Sequence, residues 1–214
     1  MLATLLPAAV RTAEAFSDIP GEPVFPGEED LVANVVDLRR REFVTARRCA
    51  REALRRLGVA PAPIRIGAER APVWPTGVVG SITHCTGYRA AAVARSADLM
   101  SVGIDAEPHQ TLPAGTQDYI VAPGEADMLR DLRSAHPRTH WDRLLFSAKE
   151  AVYKAWFPLT GRWLGLPDAR LTIDPAAGRF SAQLLVDGPR SRFSGRFLAT
   201  DRLILTAVAV GSGD

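Results

Sequence analysis

From residue 37 onward, Leu38, Phe43, Ala46, Ala50, Ala53, Leu54 and Leu57 recur at the three- and four-residue spacing that lines one face of a helix. This predicts a helix over 37–57, and Gly58 is suited to end it. Upstream, residues 10–16 alternate as a strand does, and the Pro/Gly-rich run from Ile19 to Gly27 reads as a loop. Downstream, Pro61, Pro63, Pro72 and Pro75 mark an irregular connection around a short strand at 64–66. Strand patterns follow at 78–84, 88–94 and 100–105, with Cys85-Thr86-Gly87 suited to a tight hairpin between the first two. The stretch 100–105 is then expected as the third strand of one antiparallel sheet.

The pattern breaks from Pro108 to Pro113, which sets an expected boundary between a first lobe, 1–110, and a second, 111–214. Helices are predicted at 123–133 and at 139–157, where Trp141, Leu144, Leu145, Ala148, Val152 and Ala155 form an apolar stripe. Alternation predicts strands at 170–173, 179–185, 193–199 and 203–210. Each half thus combines helix with antiparallel strands, an α+β class built as two similar lobes.

A chain of 214 residues with 47% hydrophobic content can bury a real core. Cys49 and Cys85 lack the number of a disulfide framework and the spacing of a zinc site, so free thiols in a reducing cytoplasm are expected. The apolar start has no basic leader, and Arg11 and Glu14 follow at once, so no signal peptide is expected; no stretch is long enough to span a bilayer. The net charge of +2 is too mild to name a partner. Its distribution is more informative: Arg39, Arg40, Arg41, Arg47, Arg48, Arg51, Arg55 and Arg56 crowd the 37–57 helix. Such a helix suits a nucleic acid, an acidic protein or a phosphorylated small molecule.

Asp105 and Glu107 stand two apart on a strand and so share a face, while Lys149, Glu150 and Lys154 sit on the 139–157 helix. Asp105, Glu107 and Glu150 offer the oxygen ligands that a hard divalent ion takes together with a phosphate. No sulfur or imidazole joins them, which disfavours zinc. Lys149 and Lys154 can neutralise phosphate oxygens or a leaving group. Taken singly, each piece has an ordinary reading: Asp-x-Glu as a solvated strand end, Glu150 and Lys154 as an i, i+4 helix pair. Gly80-Ser81 lacks the flanking glycines of a nucleophile elbow, which disfavours a serine hydrolase.

Together, Gly103-Ile104-Asp105-x-Glu107 and Phe146-Ser147-x-Lys149-Glu150-Ala151-x-x-Lys154 resemble the two signature motifs of the 4'-phosphopantetheinyl transferases. Trp74-Pro75-x-Gly77-Val78-Val79-Gly80-Ser81-Ile82-Thr83-His84-Cys85 is similar to the Ser/Thr-His segment of the Sfp-type branch, especially its actinobacterial and enterobactin-synthase-associated members. The arginine-rich segment from Arg40 to Leu54 is similar to that branch too. The resemblance implies a monomeric pseudo-dimer of two α+β lobes with coenzyme A in the cleft between them. It implies transfer of the phosphopantetheine arm to a serine of an acyl or peptidyl carrier protein, an acidic helical domain, with release of adenosine 3',5'-bisphosphate.

By the same resemblance Asp105, Glu107 and Glu150 would hold magnesium, with manganese as the alternative, and Lys154 and Lys149 would contact phosphate. Glu150, or a water beside it, would take the serine proton. The 3'-phosphate of coenzyme A is a dianion and needs charge-assisted donors. Arg47 and Arg48 are the first candidates, then Arg40, Arg55 and Arg70, with His84, Thr83 and Ser81 by motif. The aromatic side chains of the last helix read as core, with Trp156-Phe157 also suited to border the pantetheine channel; His109, His136 and His140 receive no role. Two rival readings remain at this point: a magnesium-dependent phosphohydrolase or nuclease using the same acids, and a nucleic-acid-binding module using the arginine helix. The latter leaves the acidic triad unexplained, so neither nucleic acid nor membrane is expected as a partner.

Overall fold

The computed structural model describes residues 1–212. Its strands form three antiparallel sheets. In the first, β1 (Arg11–Ala15), β5 (Tyr88–Arg95) and β4 (Val78–Cys85) lie in the order β1-β5-β4. Helix α1 (Asp37–Arg56) covers it, packing Cys49, Ala50, Ala53 and Leu54 against Ala13, Ala91 and Val93. As the sequence requires, α1 ends where Gly58 turns left-handed at φ 73°, with the Val59 amide bonding back to the Leu54 carbonyl at 2.9 Å. A two-residue turn, Thr86-Gly87, joins β4 to β5 in register Cys85 to Tyr88. Beside α1, β2 (Arg65–Ile66) and β3 (Pro72–Val73) make a small two-stranded ribbon.

The main sheet runs β6-β10-β9-β8-β7, with β6 at Ser101–Pro108, β7 at Ala169–Asp174, β8 at Arg179–Leu184, β9 at Arg192–Ala199 and β10 at Leu203–Val210. Short α2 (Thr116–Ile120), α3 (Glu125–Ala135) and long α4 (Trp141–Thr160) accompany it. Helix α4 runs past the expected end at 157 and carries Pro158 in its last turn, until Gly161 stops it at φ 63°. Helix α2 falls in a segment whose sequence pattern predicted no element.

The expectation that 100–105 continues the β4-β5 meander is corrected by the ladder. Strand β6 pairs with β10 from Ser101↔Val210 to Pro108↔Leu203, so the strand assigned to the first lobe extends the second sheet. Two hydroxyls bridge β4 to it instead of a backbone ladder: the Ile104 amide donates to Ser81 Oγ at 3.2 Å and the Ala106 amide to Thr83 Oγ1 at 3.0 Å. An unpaired amide at this depth would be costly, so these side chains complete the edge of β6.

On its other face β6 lies directly under α4. A Cβ at Gly103 would stand 2.0 Å from the Ala151 carbonyl oxygen and 2.7 Å from the Ala155 nitrogen, so only glycine lets the two backbones meet. This contact sets α4 across β6, and with it the two signature motifs. The halves also share apolar substance: Leu2, Leu5, Tyr88, Ala90 and Ala92 pack with Val102, Ile104, Leu203 and Leu205 in one cluster between the sheets.

Candidate active site

Helix α1 and strand β4 form one wall of a cleft of about 630 Å³, and β6 with α4 forms the other. Arg39, Arg47 and His84 line the first wall, Asp105, Glu150 and Lys154 the second, and Arg70 enters from the turn between β2 and β3. Along α1 the cleft stripe is Arg39, Phe43, Ala46 and Arg47, the i, i+4, i+7, i+8 pattern of one helix face. Arg47 is buried, its guanidinium lies 3.6 Å over the Phe43 ring, and its Nε donates to the Ile64 carbonyl at 3.0 Å. Burial pulls its pKa down to about 10, so it remains a cation at neutral pH.

His84 meets Arg39 with Nε2 at 2.8 Å from the guanidinium Nη1. Since arginine only donates, Nε2 is the acceptor and the ring proton sits on Nδ1, which faces Glu42 Oε2 at 3.7 Å. Burial and then the Arg39 charge hold the His84 pKa down to about 4. Arg70 adopts a left-handed φ of 63° next to Glu69 at 49°, in a turn closed by the Ala71 amide on the Ala68 carbonyl at 2.9 Å. Two non-glycine residues in this region cost about 1 kcal/mol or more each, a strain held at the cleft.

On the opposite wall, Lys154 Nζ donates to Asp105 Oδ1 at 2.7 Å, and Thr83 Oγ1 donates to the same oxygen at 3.3 Å. The second oxygen, Asp105 Oδ2, is buried and has no hydrogen-bond partner. Glu150, one helical turn before Lys154, has its pKa raised by burial, with Lys154 pulling it back and Asp105 adding to the rise. The pKa of Glu107 is raised by burial and by Asp105, against a 2.8 Å ion pair with Arg143. Arg143 also donates to the carbonyls of Gln110 and Thr111, at 3.1 and 2.9 Å.

The donor set fits a hard cation. It contains only oxygen, one carboxylate oxygen is buried without a partner, and magnesium needs only one or two carboxylates beside substrate oxygens and water. Among the described residues no three acidic, imidazole or thiol side chains form a ready cage. Asp105 and Glu150 line the cleft, whereas Glu107 is held toward Arg143.

Several expectations are redistributed. Lys149 is buried under the second sheet, donating to Glu125 Oε2 and the Ile120 carbonyl at 2.7 Å each and to the Leu166 carbonyl at 3.0 Å. It lies outside the cleft, because one residue along α4 rotates the side chain by about 100° from Glu150. Arg40 reaches the Glu22 carbonyl and Arg48 pairs with Glu22 at 2.7 Å, while Arg55 pairs with Glu52; none of the three lines the cleft. Ser81 and Thr83 do line it, but their hydroxyl oxygens are engaged by β6. Trp156 is fully buried with its indole on the Arg162 carbonyl, and Phe157 alone of that pair faces the cleft. Arg39 was missing from the expected set, although its position eight residues before Arg47 puts both on one face. Tyr153, expected in the core with the other aromatic side chains of this helix, lines the cleft, and Glu42, inside the arginine-rich segment but given no role, stands beside His84.

Two family models match the chain: the 4'-phosphopantetheinyl transferase N-terminal domain over residues 27–94, and the 4'-phosphopantetheinyl transferase superfamily over 101–207. The chain is 51% identical over 221 residues to the 4'-phosphopantetheinyl transferase Svp of Streptomyces mobaraensis, covering 99% of this chain and 90% of that one. It belongs to the 4'-phosphopantetheinyl transferases. The 4'-phosphopantetheinyl transferase PptT of Mycobacterium tuberculosis is 49% identical, with 98% of each chain covered. Enterobactin synthase component D of Salmonella typhi is 37% identical over 120 residues, 55% of this chain and 48% of that protein. Family membership favours group transfer over the hydrolase and nucleic-acid readings, and the α+β architecture is that of the family. No helix among the described residues is long and apolar enough to cross a membrane.

Proposed function

We propose that this transferase moves the phosphopantetheine arm of coenzyme A to a serine hydroxyl of an acyl or peptidyl carrier protein, leaving adenosine 3',5'-bisphosphate. The observation that carries this reading is one cleft whose first wall presents the cations Arg39 and Arg47 beside the neutral imidazole of His84, facing a carboxylate-ammonium wall, Asp105, Glu150 and Lys154. The first suits the 3'-phosphate and the second the pyrophosphate. Both walls of the cleft are built by this chain, an arrangement that suits action as a monomer, and the free thiols of Cys49 and Cys85 suit the cytoplasm.

In this mechanism the serine oxygen forms a bond to the β-phosphorus as the bond to the bridging oxygen of the adenosine-bearing phosphate breaks. Lys154 neutralises charge on the departing bisphosphate, and Thr83 fixes the carboxylate of Asp105. Glu150, whose proton affinity is raised by burial, takes the serine proton directly or through one water. A magnesium or manganese ion, held by Asp105 with Glu150 and Glu107, would supply charge neutralisation for the pyrophosphate. Arg39 and Arg47 anchor the far phosphate, and His84 orients Arg39.

Incubation with coenzyme A, magnesium and a panel of apo-carriers, read by mass spectrometry, should show the phosphopantetheine increment on a carrier serine. Hydrolysis of coenzyme A without any increment would instead favour the phosphohydrolase and overturn the transfer.

A further inference from the structure

The flank of α1 turned away from the cleft bounds a second hollow, of about 500 Å³, lined by Arg48, Arg51, Arg55, Arg56, Glu14 and Glu52 with an apolar wall that includes Phe25 and Pro61. Arg48, Arg51 and Arg55 follow the i, i+3, i+7 spacing of a single stripe, and helical rise puts the ends of that stripe about 10 Å apart. Like charges at this spacing repel unless countered.

The counterions on this flank are incomplete. Arg51 is satisfied by the buried Glu28 at 2.8 Å and lies 4.2 Å over the Phe25 ring. Glu14 is already engaged by the Met1 amine, the Leu2 amide and the Tyr88 hydroxyl. Glu52 is shared between Arg55 and Arg56, and Arg56 also donates to the Thr12 carbonyl. Arg48 stands 2.7 Å from Glu22 Oε1, yet its buried Nε is not aligned to donate to any acceptor. Arg48 and Arg55 each set one nitrogen against a carboxylate, Nε at 2.7 Å from Glu22 and Nη2 at 2.5 Å from Glu52, and the other nitrogens of the two guanidinium groups make no hydrogen bond within the described residues.

We propose that this hollow is a second anion site, separate from the cleft, that takes a compact ligand carrying two phosphate groups between Arg48 and Arg55. Paired forks suit phosphate oxygens, which accept two parallel N–H bonds from each guanidinium. Glu52 sets the affinity, since its carboxylate competes with the ligand for Arg55 and Arg56. Helix α1 forms a wall of both sites, with Arg47 turned to the cleft and its neighbour Arg48 to the hollow.

The test is titration of the full chain with inorganic pyrophosphate, following arginine side-chain and α1 amide signals by NMR and stoichiometry by calorimetry. Two sites are expected, one in each hollow. Arg48→Gln with Arg55→Gln should abolish the second and leave coenzyme A affinity unchanged, and Arg39→Gln should do the reverse. Glu52→Gln should tighten the second site by about threefold, a gain that a misfolded variant would not produce. A single site, two sites surviving in the double variant, or weaker pyrophosphate binding after Glu52→Gln would each overturn the proposal. So would a tenfold loss of coenzyme A affinity in the double variant, by returning these arginines to the cleft. None of these readings depends on transfer activity, so they stand apart from the outcome with apo-carriers.

Discussion

At the scale of single residues, the cleft separates groups that must change charge from groups that must not. Glu150 is held above the usual carboxylate range by burial, and it acts as an acceptor only when ionised. Transfer should therefore fall as pH drops through that raised value, and Glu150→Gln should lower kcat by about a hundredfold or more, checked by a pH-rate profile at saturating metal. Full activity in that variant would remove Glu150 from both proposed roles. His84 works with the opposite sign: its folded pKa of about 4 lies below the ordinary value near 6.5, so the unfolded chain binds more protons in between. Stability should fall as pH drops from about 6.5 to 4, and His84→Gln should flatten that part of the melting-temperature profile. An equal slope in wild type and variant would show that His84 is not the group responsible. Which arginines face the cleft was not legible, because Arg47 and Arg48 are neighbours and a helix turns about 100° between them. Two-residue spacing on a strand gives Asp105 and Glu107 a common side, but it does not say which of them the cleft receives: Asp105 lines it, and Glu107 is held toward Arg143.

At the scale of elements, the two motifs meet through backbone contacts that sequence spacing alone cannot report. The motif glycine Gly103 lies under the Ala151 carbonyl, so Gly103→Ala should cost about 3 kcal/mol or more, measured by urea denaturation. Thr83 links β4, β6 and Asp105 with one hydroxyl, taking the Ala106 amide and donating to the carboxylate. Removing it leaves a buried amide unpaired, so Thr83→Ala should cost about 1–3 kcal/mol and weaken metal-dependent transfer, while Thr83→Ser restores both. A Thr83→Ala protein with unchanged stability would mean that water replaces the hydroxyl. The hairpin β4-β5 and the helix α1 were readable because turn chemistry and periodicity are local. The partner of β6 was not, because its ladder to β10 joins segments about a hundred residues apart in the chain.

At the scale of the whole molecule, the position of Lys149 illustrates how a motif mixes chemistry with construction. Its ammonium and Glu125 form a buried pair that also gathers the Ala122 and Leu171 amides, tying α3, α4 and β7 together. Lys149→Met should therefore leave Glu125 as a lone buried charge and cost about 3–5 kcal/mol, with KM for coenzyme A unchanged. Burial lowers the Lys149 pKa against the pull of Glu125, which agrees with a structural cation that is never offered to solvent. The same tie has a cooperative consequence, because the second sheet, stabilised by that pair, shares an apolar cluster with the first. Ile104 and Leu205 pack in it against Tyr88 and Ala90, and Leu2 closes it. Unfolding of either half would expose this shared surface, so the two halves should melt together. Trp74 reports on the β3-β4 side and Trp141 on α4, and single-tryptophan variants should give coincident urea transitions. Leu205→Ala should shift both by the same amount, about 2–5 kcal/mol. Separate transitions would show two lobes that fold independently, whereas coincident transitions show that both walls of the cleft belong to one cooperative unit and form only when the whole chain is folded.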